Sequence, residues 1–159
     1  MDLNKTRDFM RENVDPEFEF INNKNRKVPF TKLNKKIKDS KIVLISSGGF
    51  HLDIDEPFDT EDNMGDASYR MIPKNTKEDS IKISHSHYDH KYVNKDINCA
   101  FPLSLLLELE DDNLIGSLAD KNYSFMGFCL KIEELKENAA KLAYKLKDNN
   151  VDAAIISPT

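Results

Sequence analysis

The sequence lacks the features that mark a membrane-spanning, secreted or disulfide-stabilised protein. Only two of its 159 residues are cysteines, which is too few for a disulfide framework. No apolar run approaches the roughly 20 residues that a transmembrane helix needs. The first residues, Met1 to Lys5, lack the apolar stretch of a secretion signal. These absences predict a cytoplasmic protein that makes no contact with a membrane.

The charges are unevenly distributed along the chain. The net charge of −5 argues against nucleic acid as a partner. A basic stretch nevertheless contains Lys24, Arg26, Lys27, Lys32, Lys35, Lys36, Lys38 and Lys41. An acidic stretch follows it and contains Asp53, Asp55, Glu56, Asp59, Glu61, Asp62 and Asp66. The basic stretch lacks the regularly interleaved aromatic side chains that stack on bases, so we expect it to be solvated or to dock on a partner subunit.

The two cysteines are not arranged as a metal or redox motif. Cys99 and Cys129 are 30 residues apart, and neither has a second cysteine nearby. Each lies among apolar neighbours, as small buried residues often do. We predict reduced thiols in the core, and a redox role is the alternative.

The sequence pattern changes at about residue 40. Residues 2–13 fit a short helix, and residues 14–40 fit an irregular arm because Pro16 and Pro29 interrupt regular structure. We therefore expect residues 1–40 to be a helix with a basic arm, and residues 41–159 to be an α/β domain.

Strand and helix patterns alternate within residues 41–159. The apolar, mostly β-branched run at 42–45 favours a buried parallel strand, and residues 46–49 then form a tight glycine turn. The segment from His51 to Pro73 is predicted to be a long loop, and a second strand follows at 80–83. Pro102 is expected to begin a helix that ends near Asn113.

The last part of the chain completes this pattern. A helix at 131–148 is expected to bury an apolar stripe made of Ile132, Leu135, Ala139, Leu142, Ala143 and Leu146. Residues 153–156 fit a parallel strand. The order of elements predicts a three-layer α/β open sheet, mainly parallel and Rossmann- or flavodoxin-like. Because a helix normally covers such a strand, we expect the domain to be incomplete at its carboxyl terminus, truncated after a core strand.

Three of the four histidines lie beside a carboxylate in the segment from Ser84 to His90. The pattern H-x-H-x-D-H is a signature of the two-metal hydrolases of the metallo-β-lactamase superfamily. Those sites need more histidines from later loops, and no histidine follows His90. A metal held by His85, His87, Asp89 and His90 remains an alternative, because side chains two apart on an extended segment share a face. The preferred interpretation has no metal.

Several sequence blocks follow one another in a distinctive order. They are Val28-Pro29-Phe30-Thr31, Ile42 to Leu52, Pro57-Phe58-Asp59, Gly65 to Pro73, Ser84 to Asp89, Asp96 to Pro102 and Tyr123 to Gly127. Together they resemble the selenoprotein B family of the glycine, sarcosine, betaine and D-proline reductases. The resemblance covers roughly residues 28–159.

The resemblance implies an oxidoreductase that cleaves the C–N bond of glycine, sarcosine, betaine or D-proline. A selenolate attacks the carbon that bears the nitrogen, and a dithiol of the thioredoxin type supplies the electrons. The amine is quaternary, as in betaine, or is activated by a partner subunit that carries a carbonyl or pyruvoyl group. The selenocysteine would follow Thr159, at a UGA codon that ordinarily means stop. The chain itself has no such residue and no bound cofactor, so it is expected to be inactive alone.

Candidate site residues follow from their expected place at the carboxyl edge of the sheet. His51, His85, His87 and Asp89 would converge where the selenolate lies, and a histidine there can protonate the leaving amine or hold the selenolate's charge. Asp66 and Arg70 can position the substrate, although we favour a structural role in their loop. Two other hypotheses remain open, a metal-dependent hydrolase and a non-catalytic partner that kept the fold.

Overall fold

The structure is a computed structural model that describes residues 2–13, 16–20 and 30–159. Its helices are α1 (Leu3–Asn13), α2 (Leu103–Asp111) and α3 (Ile132–Asp148). Its strands are β1 (Lys41–Ser46), β2 (Phe50–Leu52), β3 (Tyr69–Pro73), β4 (Ile81–Ile83), β5 (Ser117–Leu118), β6 (Lys121–Phe125) and β7 (Ala153–Ser157). Three short 3-10 turns lie at Ile37–Asp39, Glu78–Ser80 and Ile97–Cys99.

The chain divides into two units, Met1–Lys32 and Leu33–Thr159. The first unit contains α1, which confirms the helix predicted at 2–13. Arg11 Nε donates a hydrogen bond to the Phe18 carbonyl oxygen at 2.9 Å, and the Arg11 guanidinium pairs with Glu19. Lys24, Arg26, Lys27, Val28 and Pro29 lie outside the described residues. The predicted boundary at residue 40 stays a prediction.

The main sheet of the second unit is built around β1. β5 and β6 pair in parallel with successive parts of β1 along one side, and β7 pairs in parallel along the other. β3 pairs antiparallel with β6 at the far edge. The sheet is therefore open and mainly parallel, as predicted.

Each face of β1 packs against its own layer. Ile42 and Leu44 join a core cluster with Leu103 and Leu106 of α2. Val43 faces the other way and joins a cluster with Leu142 of α3. A strand buried on both faces has a continuous apolar sequence rather than an alternating one, and this explains the Ile-Val-Leu-Ile run. The three-layer α/β arrangement is confirmed.

β5 and β6 were not predicted from the sequence, because polar residues interrupt them. Asn122 is fully buried in β6 and links this interrupted strand to β1. Its side-chain oxygen accepts a hydrogen bond from Leu44 N at 2.9 Å, and its amide nitrogen donates to the Ala119 carbonyl at 3.2 Å. A buried polar side chain is tolerated when it is paired in this way.

Two predictions for the middle of the chain were wrong. The segment from His51 to Pro73 is not a continuous loop, because it contains the end of β2 and the whole of β3. The strand predicted at 80–83 exists as β4, but it pairs antiparallel with β2 in a separate two-stranded sheet. Its residues Ile81 and Ile83 pack into the α2-side core from this small sheet. Burial against the core therefore explains its apolar positions without a place in the main sheet.

The helix at 131–148 is confirmed as α3, but its predicted core stripe is only partly buried. Of that stripe, Leu142 is buried and Leu135 and Leu146 are half-buried, whereas Ile132, Ala139 and Ala143 are exposed. On the neighbouring β7, Ile156 is 69% exposed. The described chain supplies no further layer over this face, so amphipathic spacing overstated the burial of the helix.

The prediction of two core cysteines was also wrong. Cys99 is exposed and Cys129 is half-buried, and both are free. Cys99 ends the 3-10 turn Ile97–Cys99, and the buried residues there are the following Ala100 and Phe101. In the parts of the chain that the structure describes, no helix has the length and apolar character needed to cross a membrane.

Candidate active site

The candidate site lies where β1 ends, and a serine fixes the backbone at this point. Ser46 is buried; its hydroxyl donates to the Ala100 carbonyl at 2.9 Å and accepts from Gly48 N at 3.1 Å. Gly49 has a positive φ of 70°, and a Cβ there would collide with the Ser84 carbonyl oxygen. Gly49 is therefore required by close backbone packing.

The histidine segment reaches this turn from the small sheet. Ser84 N donates to the Gly49 carbonyl at 2.9 Å, and the Tyr88 hydroxyl donates to the Gly48 carbonyl at 3.0 Å. Burial, and secondarily the nearby Cys99 thiol, raises the pKa of Tyr88 to about 12. Tyr88 therefore stays protonated and holds the histidine segment on the turn after β1.

His85 is buried in the middle of the site and faces two backbone donors. Its Nδ1 lies 3.0 Å from His87 N, and its Nε2 lies 3.1 Å from Gly127 N. A neutral imidazole has one acceptor nitrogen, so it can accept only one of these two hydrogen bonds at a time. Burial lowers the pKa of His85, and the charges of His87 and His90 lower it further. His85 is thus a neutral acceptor, and its environment disfavours a proton-donor role.

His87 is the exposed member of the pair. Its ring stacks on Phe128, with 3.8 Å between ring centroids and an angle of 12° between the planes. Its Nδ1 hydrogen-bonds the Ser86 hydroxyl at 2.9 Å. No residue of the described ranges hydrogen-bonds its Nε2, so this atom is available to a ligand.

His51 and Asp89 are used to hold local structure. His51 is buried, and its Nδ1 donates to its neighbour's carbonyl, Leu52 O, at 2.9 Å. Its Nε2 hydrogen-bonds the Ser84 hydroxyl at 2.9 Å. Asp89 is exposed, and its carboxylate accepts from Lys91 N at 2.9 Å in a local turn. The structure therefore brings His51 next to the histidine segment, whereas the Asp89 carboxylate hydrogen-bonds within its own turn.

Asp66 and Arg70 pair with each other and clamp their own loop. Arg70 donates to the carbonyl oxygens of Glu56 at 2.7 Å and Pro57 at 3.1 Å, and its guanidinium lies over the Phe58 ring. Burial would raise the pKa of Asp66, but hydrogen bonds from Ser68 and Asp59 N and the charge of Arg70 lower it overall. These contacts are those of a structural clamp, and the substrate-positioning role stays a prediction.

The acidic stretch is an ordered loop packed beside the segment that follows Gly127. Several of its carboxylates accept backbone N–H groups in local turns, and they are Asp55, Asp59, Asp62 and Asp66. Leu130 N donates to the Met64 carbonyl at 2.7 Å, and Lys131 pairs with Asp62 at 2.7 Å. Turn formation explains why so many Asp residues occur here.

The end of β7 meets the same edge through Ser47. Thr159 N donates to Ser47 Oγ at 3.0 Å, the two hydroxyl oxygens lie 3.2 Å apart, and Ser47 N donates to the Ser157 carbonyl at 3.1 Å. A Cβ on Gly127 would lie 3.0 Å from both His85 Nε2 and the Ser47 carbonyl. Ser47, His85, Gly127 and Thr159 therefore form one cluster, which we call the edge cluster.

Ser47 was missed as a site residue by the sequence analysis. Its signal is a hydroxyl directly after a buried parallel strand, where the carboxyl ends of strands build ligand sites. Residues 46–49 were predicted only as a turn, because serine is also common in turns.

The geometry of the histidine segment does not form a metal site. Within the described ranges, no three histidine, cysteine or acidic residues are placed to hold one ion. Both ring nitrogens of His85 face N–H groups, which repel a cation. His90 Nε2 is buried and has no hydrogen-bond partner within the described chain. The alternative set of His85, His87, Asp89 and His90 is therefore not assembled around a common point.

The chain is similar in sequence to reductase subunits. A sequence profile described as glycine/sarcosine/betaine reductase selenoprotein B matches residues 8–159. The D-proline reductase subunit gamma of Acetoanaerobium sticklandii is 33% identical over 129 residues, which is 80% of this chain and 52% of that protein. The glycine reductase complex component B subunit gamma of Symbiobacterium thermophilum is 27% identical over 132 residues, or 79% of this chain and 30% of that protein.

A third relative is named as part of a sarcosine reductase. The sarcosine reductase complex component B subunit beta of Peptoclostridium acidaminophilum is 28% identical over 140 residues, or 84% of this chain and 31% of that protein. The chain thus spans about half the length of the D-proline relative and about a third of the other two. No solved structure matches it. Because the profile matches almost the whole chain, the chain belongs to the glycine/sarcosine/betaine reductase selenoprotein B family.

Proposed function

We propose that this chain forms the amino-terminal part of a selenium-dependent reductase subunit that cleaves a C–N bond. One observation carries the proposal beyond family membership. Thr159 is hydrogen-bonded to Ser47 in the edge cluster, which also contains His85 and Gly127. A selenocysteine there would lie at the carboxyl edge of parallel strands, where α/β proteins place reactive groups.

The residues around that position suit an anionic nucleophile. Ser47 contributes a hydroxyl, and His87, two residues after His85 of the edge cluster, has a ring nitrogen without a partner in the described ranges. Both groups can donate a hydrogen bond to a negative charge. A selenolate would displace nitrogen from carbon and form a selenoether. A dithiol of the thioredoxin type would then supply the two electrons that cleave the C–Se bond, and would become a disulfide. The chain as given has no group of this kind, so it should show no reductase activity alone.

His87 is the residue that we assign to proton transfer. The C–N bond breaks only if the departing nitrogen receives a proton, and a nearby imidazole can supply it near neutral pH. His87 is exposed and its Nε2 is free, whereas His85 is held neutral between two backbone N–H groups. His85 then acts as a positioning residue that orients His87 and Gly127.

D-proline has the strongest support as the substrate. The D-proline relative is 33% identical to this chain, against 27% and 28% for the glycine and sarcosine relatives. As partners we propose the other subunits of the reductase complex, including one that carries a carbonyl or pyruvoyl group to activate the amine. The proposed location is the cytoplasm.

The selenium proposal is tested by two measurements. The DNA after the Thr159 codon is sequenced, and the mass and selenium content of the protein made in its native cell are measured by mass spectrometry. We expect TGA followed by an open frame, and a product larger than 159 residues that carries one selenium atom per chain. TAA or TAG with no continuing frame, and a selenium-free product of this length, would contradict the proposal. The non-catalytic partner would then be the better interpretation.

The role of His87 is tested in the complete reductase by His87→Gln. Loss of a general acid should lower kcat by about 10²–10⁴-fold and leave KM nearly unchanged. The control is Ser86→Ala, which removes the hydroxyl beside His87 Nδ1 but keeps the imidazole. A kcat for His87→Gln within about twofold of wild type would sink the assignment.

A further inference from the structure

We propose that the face made by β7 and the exposed side of α3 is the seat of one strand–helix unit, supplied by the remainder of the reductase subunit. The inference rests on the proposed function only in naming that subunit as the source. We call this surface the β7–α3 face, and it consists of Ala153–Ser157 together with Ile132, Leu135, Ala139, Ala143 and Leu146.

The strand edge in this face is unpaired and uncharged. β7 pairs with β1 along one side, and no other strand of the described chain pairs with its second side. Its sequence, Ala-Ala-Ile-Ile-Ser, has no charged residue or proline. Proteins usually protect open strand edges with lysine, proline or bulges, because a bare edge templates pairing with another strand. The β7 edge has neither charged residues nor proline, and we therefore expect it to pair with another strand.

Two grooves lie between α3 and the sheet near this edge. One groove of about 310 Å³ is lined by apolar side chains that include Leu135, Ala139 and Ile156. The second, of about 250 Å³, is lined by Ala143, Leu146 and the first residues of β7. Ile156 is 69% exposed and Ile132 is 49% exposed. A helix laid over a neighbouring strand would bury these side chains.

The larger groove reaches the edge cluster. Ser47 and Gly127 line the same groove as Leu135 and Ile156. A unit that fills this groove would close one side of the candidate site and exclude water from it. Closure of this kind strengthens the electrostatic contacts inside a site. Covering the face would therefore also shield the Ser47 and Gly127 side of the edge cluster from solvent.

The length of the relatives supports this choice of occupant. The matched region is 52% of the D-proline reductase subunit gamma, so about half of that protein lies outside the match. A strand with its crossover helix needs only about 30 residues. In a parallel sheet, a unit that extends the β1–β7 series would place its strand on the free edge of β7 and its helix on one face of the sheet.

The test compares amide hydrogen exchange in the subunit isolated from its native cell with exchange in the 159-residue chain made alone. We expect amides of residues 132–157 to exchange at least about tenfold more slowly in the native subunit. The protecting segment, identified by mass spectrometry and cross-linking to β7, should correspond to the part of the relatives beyond the matched region. In the native subunit, Ile156→Asp should restore fast exchange, whereas Ile54→Asp, at a loop residue that is 90% exposed, should not.

Three results would overturn the inference. One is equal exchange in residues 132–157 in both preparations. Another is a dimer of the chain alone with β7 protected, because the occupant would then be a second copy. The third is protection by a polypeptide unrelated to the reductase subunits. The selenium content is measured separately, so a selenium-free subunit with a covered β7–α3 face would refute the proposed chemistry and leave this inference standing.

Discussion

At the scale of single residues, the His85 side chain contacts the backbone of the candidate site at both His87 and Gly127. The backbone N–H groups of His87 and Gly127 face its two ring nitrogens at 3.0 and 3.1 Å. A protonated imidazole has no acceptor nitrogen and would confront both donors. Charging His85 therefore conflicts with the folded structure, in agreement with its lowered pKa.

This conflict predicts an acid-sensitive step in stability. The unfolded chain protonates His85 near its ordinary pKa of 6.5, whereas the folded chain does so only at lower pH. The stabilisation is thus complete above pH 6.5 and decreases as the pH falls below it. His85→Gln keeps an acceptor near the Nε2 position but does not titrate. Urea unfolding at about pH 7.5 and about pH 5.5 should show a smaller loss for this variant than for wild type.

Ser86→Ala is the control for this prediction, because it alters an exposed neighbour and leaves His85 in place. Its loss of stability between the two pH values should match that of wild type. If His85→Gln keeps the full wild-type pH dependence, His85 does not change its proton affinity on folding.

The residue scale also shows where sequence patterns mislead. The histidine segment has the spacing of a metal signature, but its members face different partners: two backbone donors for His85, Phe128 for His87 and a local turn for Asp89. Spacing along the chain does not determine side-chain direction, which depends on the contacts of the folded loop. Ser47 was missed for the same reason.

At the scale of elements, the central strands depend on one buried amide. β5 and β6 form an interrupted strand, and Asn122 supplies hydrogen bonds that link it to Leu44 N and to the Ala119 carbonyl. The polar residues that hid these strands from prediction are thus the ones that hold them in place. A strand pattern read from apolar alternation cannot reveal such a residue.

Asn122→Leu should destabilise the second unit because Leu44 N–H and the Ala119 carbonyl would lose their partner inside the core. A buried group left unpaired costs about 1–3 kcal/mol, so we expect the free energy of unfolding in urea to fall by about that amount. Asn63→Leu, in the exposed part of the acidic loop, is the matched control and should change stability by less than about 0.5 kcal/mol. Equal effects of the two variants would show that the Asn122 hydrogen bonds contribute little.

The helices were predicted better than the strands. α2 and α3 lie within two residues of their predicted spans, since a sustained 3.6-residue period and a proline start are local signals. The burial of α3 was overestimated, because periodicity identifies an apolar face without showing what covers it. The pairing of β4 with β2 was also not predicted, because the sequence of a short strand contains little information about which strand it pairs with.

At the scale of the whole molecule, Asp152 ties the two central strands together at their amino-terminal ends. Its carboxylate accepts from Lys35 Nζ at 2.8 Å and from Lys41 N at 2.9 Å, and β7 begins at the next residue. The hydrogen bond from Lys35 is the largest cause that lowers the pKa of Asp152, followed by the hydrogen bond from Lys41 N. Folding is therefore linked to ionisation of this group.

This linkage predicts a second loss of stability at lower pH. Asp152 favours folding fully above its ordinary pKa of 3.8, and its contribution disappears as the pH falls through its lower folded value. Lys35→Met removes the main partner, so the pKa of Asp152 should rise and acid unfolding should begin at a higher pH. Circular dichroism during acid titration measures the midpoint. A midpoint that does not move, or moves to lower pH, would contradict the role of this pair.

The sequence by itself determined the class of this protein. Its apolar runs, helical periods and ordered blocks predicted an α/β open sheet and membership in the reductase family, because these signals are local or depend only on order along the chain. Only the tertiary structure decided which residues meet: Ser47 with Thr159, His85 with Gly127, and β4 with β2 instead of the main sheet. Such contacts join positions far apart in the chain, and no local preference encodes them.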